Sequence, residues 1–177
     1  MVVSTMHVLI TGAAGSGTST LGRALAAELN AAFIEADDIY WLQTSPPFKE
    51  KRAVEKRRDL MLSSLDSYSS AVVSGSVMNW GSQIEDAFDV VVFLYVEADT
   101  RIKRLREREI HRYGAVDPDF LEWAAQYDYG TAPGRSLAKH RAWLEARSCR
   151  VINIEGAMPV FEQIEILKER GLTRRCS

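Results

Sequence analysis

Cysteine and histidine are scarce in this sequence: Cys149 and Cys176, and His7, His111 and His140, are all that its 177 residues contain. The two cysteines have neither a metal-ligand spacing nor the pattern of a disulfide framework, which suits a reducing cytosol. The histidines are scattered without ligand spacing, which removes a zinc site, and His140 reads as packing beside Trp143 with no further role. No apolar run approaches the roughly 18 residues that a membrane span requires, and residues 1–10 lack a basic stretch followed by a long apolar one. A soluble, cytoplasmic protein with no membrane partner is expected. Charge of one sign is also missing: 22 basic against 24 acidic residues leave a net charge of -2, which excludes an extended nucleic-acid-binding surface. Any basic site must be local. Internal repeats, low-complexity tracts and Gly/Ser-rich linkers are absent as well, so residues 1–177, 46% of them hydrophobic, read as one domain, a monomer or small homo-oligomer.

What is present alternates. Met6 to Thr11 reads as a short buried strand, followed by a glycine-rich turn and by a helix from Ser19 to Leu29 with Leu21, Ala24, Leu25 and Leu29 on one stripe. Ala32 to Ala36 reads as a second strand, and Pro46-Pro47 breaks the chain before a charged helix from about Lys51 to Tyr68. Ala71 to Ser74 is a third strand that ends at Gly75, and Val90 to Val96, the most continuous β-branched and aromatic run, has the character of a central strand buried on both faces. A basic helix from about Asp99 to Arg112 leads into a Tyr-, Gly-, Asp- and Pro-rich stretch, Tyr113 to Gly134, that reads as a mobile covering segment with Gly114 and Gly130 as hinges. A helix at Arg135 to Arg147, a strand at Arg150 to Ile154 and a helix at Pro159 to Arg170 complete the chain. Strands alternating with helices predict parallel pairing through right-handed crossovers, hence a three-layer α/β fold whose ligands lie beyond the carboxyl ends of the strands.

The turn Gly12-Ala13-Ala14-Gly15-Ser16-Gly17-Thr18-Ser19 has the spacing of a phosphate loop, G-x-x-x-x-G-K-[ST], with Thr18 where a lysine is expected. A strand runs in and a helix runs out, so backbone N–H groups can surround a phosphate while the helix N-terminus adds about half a positive charge. Gly12, Ala14, Gly15, Ser16, Gly17, Thr18, Ser19 and Thr20 are the candidate nucleotide-binding residues, and Ser19 takes the hydroxyl position that ligates Mg²⁺. Without a lysine, transition-state charge must be met by another cation.

The run GAAGSGTSTLGRALA, Gly12 to Ala26, resembles the adenylate-kinase-like branch of P-loop small-molecule kinases, relatives of shikimate and gluconate kinases, in a subgroup with Gly-Thr in place of Gly-Lys. The resemblance follows the order of elements along nearly the whole chain. It implies a five-stranded parallel sheet in the order 2-3-1-4-5, ATP with Mg²⁺ as phosphoryl donor, and a lid over about residues 99–134. It also implies that the turn at Gly156 wraps the adenine ring, an alternative to a plain turn, and that an aspartate after the second strand binds the acceptor.

Asp37 and Asp38 stand at that strand end, where a carboxylate can take a proton from an acceptor hydroxyl or hold Mg²⁺ through water. Ser74-Gly75-Ser76 ends the third strand, and Tyr40, Trp41 and Trp80 offer an apolar wall for a ring-shaped acceptor, with Ser76 beside it. Lys49, Lys51 and Arg52 read as a solvated helix start. In the basic helix, spacing gathers Arg101, Arg104, Arg108 and Arg112 on one outward face, with Glu107 and Glu109 as available partners. Arg104 and Arg108 are the candidate lid cations. The expected activity is transfer of the γ-phosphoryl group of MgATP to a small acceptor, a nucleoside monophosphate or a small hydroxylated metabolite. A catalytically weakened nucleotide-binding module and a simple NTPase are the alternatives that Thr18 leaves open.

Overall fold

A computed structural model of the protein describes residues 6–45 and 47–173. Pro46 of the predicted break and Cys176 lie outside them. Five strands, β1 (Met6–Gly12), β2 (Ala32–Glu35), β3 (Ser70–Ser74), β4 (Val90–Tyr95) and β5 (Arg150–Glu155), form one sheet in the order β2-β3-β1-β4-β5. All neighbours are parallel, with Leu9 of β1 opposite Val73 on one side and Val91 on the other. This is the three-layer fold that the alternation predicts and the strand order that the resemblance implies.

Alternation along the strands sorts the core into two faces. Val8, Ile10, Val92 and Ile152 point to one side, against Leu21 and Leu25 of α1 (Thr18–Leu29) and Leu167 of α8 (Val160–Glu169). Leu9, Val73 and Val91 point to the other, against Met61 of α3 (Val54–Asp66), Ile84 of α4 (Ser82–Glu85) and Leu144 of α7 (Leu137–Glu145). Gly22 lets α1 lie close on β2, because a Cβ there would come within 2.7 Å of the Phe33 ring.

Four features depart from the expectations. Asp37 and Asp38 lie in an unpredicted one-turn helix, α2 (Ala36–Tyr40), directly after β2. The charged helix begins at Val54, because Lys51 is still bridged to Trp41 in antiparallel fashion and Arg52 Nε donates to Ile39 O at 2.9 Å. Lys51 and Arg52 thus close a strap, residues 41–45 and 47–52, instead of opening a helix. The unpredicted α4 follows Gly81.

The covering segment, finally, contains a helix. After α5 (Ala98–Tyr113), closed by Gly114 in the left-handed region, α6 (Pro118–Ala125) starts at an Asp117 cap whose carboxylate accepts from the Asp119 and Phe120 N–H groups. Asp117-Pro118 is a cap followed by proline at the first helical position, a signal that the Tyr/Gly/Asp/Pro composition of the stretch obscured. Leu105 of α5 packs with Leu121 and Ala124 of α6 in a small core of their own. Among the described residues, no helix is long and apolar enough to cross a membrane.

Candidate active site

The loop between β1 and α1 is shaped by what surrounds it. A Cβ on Gly12 would stand 2.5 Å from Leu94 O, and one on Gly15 2.7 Å from Arg101 O, so the loop backbone lies directly against β4 and α5. Gly15 and Gly17 have φ of 82° and 98°, a region open to glycine at little cost. Ser16 is buried, its hydroxyl donating to Ala13 O at 2.8 Å and its N–H to the same oxygen at 3.1 Å. Both donors of Ser16 are thereby spent inside the loop and fix its turn.

The start of α1 is different. Leu21 N–H donates to Gly17 O at 3.0 Å, so the amides of Thr18, Ser19 and Thr20 precede the helical ladder, and Gly17 supplies no side-chain cap. The helices α6 and α7 use Asp117 and Ser136 for that purpose. The first turn of α1 is left with outward donors and a positive dipole end, the arrangement that suits an anion. Arg104 reaches this point from α5: its Nη1 lies 4.0 Å from where a Cβ on Gly17 would be.

Ser19 faces the end of β3 and β2. Ser74 Oγ donates to Ser19 Oγ at 3.5 Å, and the Ser19 hydroxyl also serves the carboxylate of Glu35. Burial raises the Glu35 pKa above the ordinary carboxylate value; the Ser19 hydroxyl and the Arg23 guanidinium, 4.0 Å away, oppose this, and the Asp37 charge adds to it. Glu35 was not singled out from the sequence. Its signal is its place as the last residue of a parallel strand, where ligands of such sheets bind.

Asp37 is open to solvent on one side, yet the surrounding protein is dense enough that desolvation raises its pKa; Arg135 pulls it down, Asp38 pushes it up and Arg108 pulls it down. Arg108 therefore acts on the carboxylate side of the cleft, and it also pairs with Glu109 at 3.4 Å. Arg135, in the turn before α7, is a second cation that sequence reasoning missed, since no motif marks it. Asp37 and Asp38 line a notch of about 190 Å³ together with Trp41, Leu42 and Phe48 of the strap. Phe48 meets the Trp41 ring edge-on at 6.1 Å.

Other predicted residues have partners of their own in the fold. Trp80, 1% exposed, lies in the core behind Tyr40, and Arg57, itself buried, is wedged against the Tyr40 ring at 4.2 Å; Trp80 is no part of an acceptor wall. Ser76 Oγ accepts from Met78 N–H at 3.4 Å in a local turn. Arg101 leaves the outward arginine face: it is fully buried, donating to Val96 O at 2.8 Å, to Ala124 O at 3.2 Å and to Asp128 at 3.4 Å. Gly156 is an exposed turn with φ 93° whose N–H donates to Tyr95 O at 2.9 Å.

A family described as an AAA domain matches residues 8–117, from β1 to the cap of α6. The uncharacterized protein YqaC of Bacillus subtilis (strain 168) is 38% identical over 170 residues, covering 90% of this chain and 93% of YqaC. Shikimate kinase 2 of Sodalis glossinidius (strain morsitans) is 31% identical over 111 residues, 58% of this chain and 64% of that one. The crystal structure of a shikimate kinase from Bacteroides thetaiotaomicron has the same fold, with a TM-score of 0.60 at 20% identity, covering 93% of this chain and 97% of that chain. With its extended match to the family model, the chain belongs to the AAA-domain family, and it shares its fold with the shikimate kinase.

Proposed function

We propose that the protein transfers the γ-phosphoryl group of MgATP to a small acceptor, a nucleoside monophosphate or a small hydroxylated metabolite. The observation that carries this reading is the meeting, at one edge of the sheet, of an uncapped anion-binding helix start, an arginine beside it, and a carboxylate whose pKa is raised in a notch of its own.

The residues fit the donor. The amides of Gly17, Thr18, Ser19 and Thr20 hold phosphate oxygens, Arg104 supplies the positive charge that Thr18 cannot, and Gly156 offers backbone to the base. Among the described residues there is no cluster of three or more His, Cys, Asp or Glu that would hold a metal alone. The donor set fits Mg²⁺, which is ordinarily held by one or two protein groups together with phosphates; Ser19 would hold it here. Mg²⁺ bound there supplies charge neutralisation at the transferring phosphoryl group.

On the acceptor side Asp37 takes up the hydroxyl proton, and its raised pKa makes it a better base than an ordinary aspartate. Arg135 and Arg108 favour its charged form, Asp38 opposes them, and Trp41 and Phe48 flank the acceptor. Tyr40 holds α2 in place rather than touching the acceptor. The work is positioning and charge stabilisation.

The test is release of ADP from MgATP with a panel of nucleoside monophosphates and of small polyols, acids and sugars. One acceptor is expected to accelerate release well above the rate in its absence. Thr18 supports the other reading, a nucleotide-binding module or simple NTPase; nucleotide binding without acceptor-dependent ADP release would be its signature.

A further inference from the structure

Behind the cleft, three polar side chains are enclosed together: Thr11, His140 and Tyr127, exposed by 1%, 0% and 6%. Thr11 immediately precedes the phosphate loop. His140 belongs to α7, and Tyr127 follows α6. Tyr127 Oη lies 2.5 Å from His140 Nδ1, and His140 Nε2 lies 3.4 Å from Thr11 Oγ1, so the imidazole bonds through both nitrogens. The Phe93 and Tyr127 rings pack against it at 5.5 and 5.7 Å. A leucine would fill such a space without the cost of desolvating polar atoms. What the polar groups add is a connection.

Tyr127 is a junction. Its carbonyl accepts from Leu137 N–H at 2.9 Å, and the buried Arg101 guanidinium stands 5.1 Å over its ring while bonding Ala124 O and Asp128. Arg135 lies within the turn that the Leu137–Tyr127 bond closes, one residue before the Ser136 cap of α7.

We infer that His140 is a positioning residue: its two ring nitrogens tie the base of the lid, residues 126–137, to Thr11 at the entrance of the phosphate loop, and so fix where Arg135 stands relative to Asp37. The inference rests on the kinase reading only for what the positioned arginine serves. Burial, and to a lesser degree the charge of Arg135, keeps the imidazole neutral, with its pKa lowered to about 3.

The test needs no nucleotide. The Asp37 carboxyl carbon is followed by NMR through a pH titration in the wild type and in variants. Arg135→Gln is expected to raise the Asp37 pKa, because the guanidinium that favours the carboxylate is gone. Tyr127→Phe and His140→Leu are expected to raise it as far, and Arg135→Gln to add nothing in either background. His140→Asn, whose amide replaces Nδ1 but loses the contact to Thr11, is expected to leave it raised as well. Should His140→Leu not fold, Tyr127→Phe, which removes one oxygen, decides alone. An unchanged Asp37 titration in folded Tyr127→Phe overturns the inference, as does Arg135→Gln having its full effect there or none in the wild type. Acceptor-dependent ADP release is measured in parallel. Its absence in the wild type would refute the kinase reading and leave the titration to decide on the tie.

Discussion

The two ends of the cleft are built in different ways. At the phosphate end, the grip is backbone: the loop is fixed by Ser16 bonding to Ala13 O, pressed against Leu94 and Arg101 carbonyls, and completed by the free first turn of α1. At the acceptor end, the surface is made of side chains from separate segments: Asp37 and Asp38 on α2, Trp41 and Phe48 on the strap, with Arg108 and Arg135 acting from the lid and its base. A backbone grip is generic for phosphate and tolerates little change. A side-chain wall can be altered residue by residue, which is how one fold serves several acceptors.

The largest expected effect is at the backbone. Gly15→Val places a branched side chain against Arg101 O at a φ of 82° and is predicted to abolish nucleotide binding, read by calorimetry with MgADP. Retained binding would show that the loop is not the grip. Next is Asp37→Asn, predicted to lower acceptor-dependent turnover by about 10²–10⁴-fold, the range for loss of a general base, with MgADP affinity unchanged.

Arg104→Ala is predicted to reduce turnover by about 10²–10³-fold, the usual effect of removing one charge-stabilising donor. Thr18→Lys, added to Arg104→Ala, should recover part of it, since it restores a cation to the loop. If it recovers nothing, Arg104 does not stand in for the lysine.

A further prediction concerns pH. The His140 pKa falls from 6.5 to about 3 on folding. The unfolded chain therefore binds the additional proton between these values, so this contribution is present above about pH 6.5 and is lost as pH falls toward 3. Its size is on the order of a few kcal/mol. Denaturant midpoints from pH 7 to 4 should fall less steeply in His140→Asn than in the wild type. The smallest effect is expected at the side-chain wall: Trp41→Ala should raise the acceptor KM by up to roughly tenfold, about 1.4 kcal/mol, and leave nucleotide affinity alone.

The same contrast explains what could be read in the sequence. The phosphate loop, the helix stripe of Leu21 and Leu25 and the continuous apolar run of β4 are local patterns, and local patterns carry over into structure directly. Asp37 was legible because it follows a strand end. Arg135 was not, since its nearness to Asp37 depends on how α7 docks, and no local spacing encodes that. Arg101 misled for the same reason: helical periodicity put it on the arginine face, but α6 covers that end of α5, and Ala124 O and Asp128 take up the guanidinium. Trp80 and His140 likewise owe their surroundings to contacts distant in sequence. Helix α6 is the exception, a local signal, Asp117-Pro118, outweighed by loop-like composition around it.

The central claim is that a phosphate loop without its lysine still grips adenine nucleotide. The measurement that tests it most directly is thermal melting with and without excess MgADP or MgATP. At about 100 times Kd a ligand adds about 2.7 kcal/mol, and for a chain of this size the predicted rise in Tm is roughly 5–10 °C. Gly15→Val, if folded, should show none. An unmoved wild-type Tm with every nucleotide would contradict the account, leaving the fold without its proposed donor and Thr18 as the mark of a lost site.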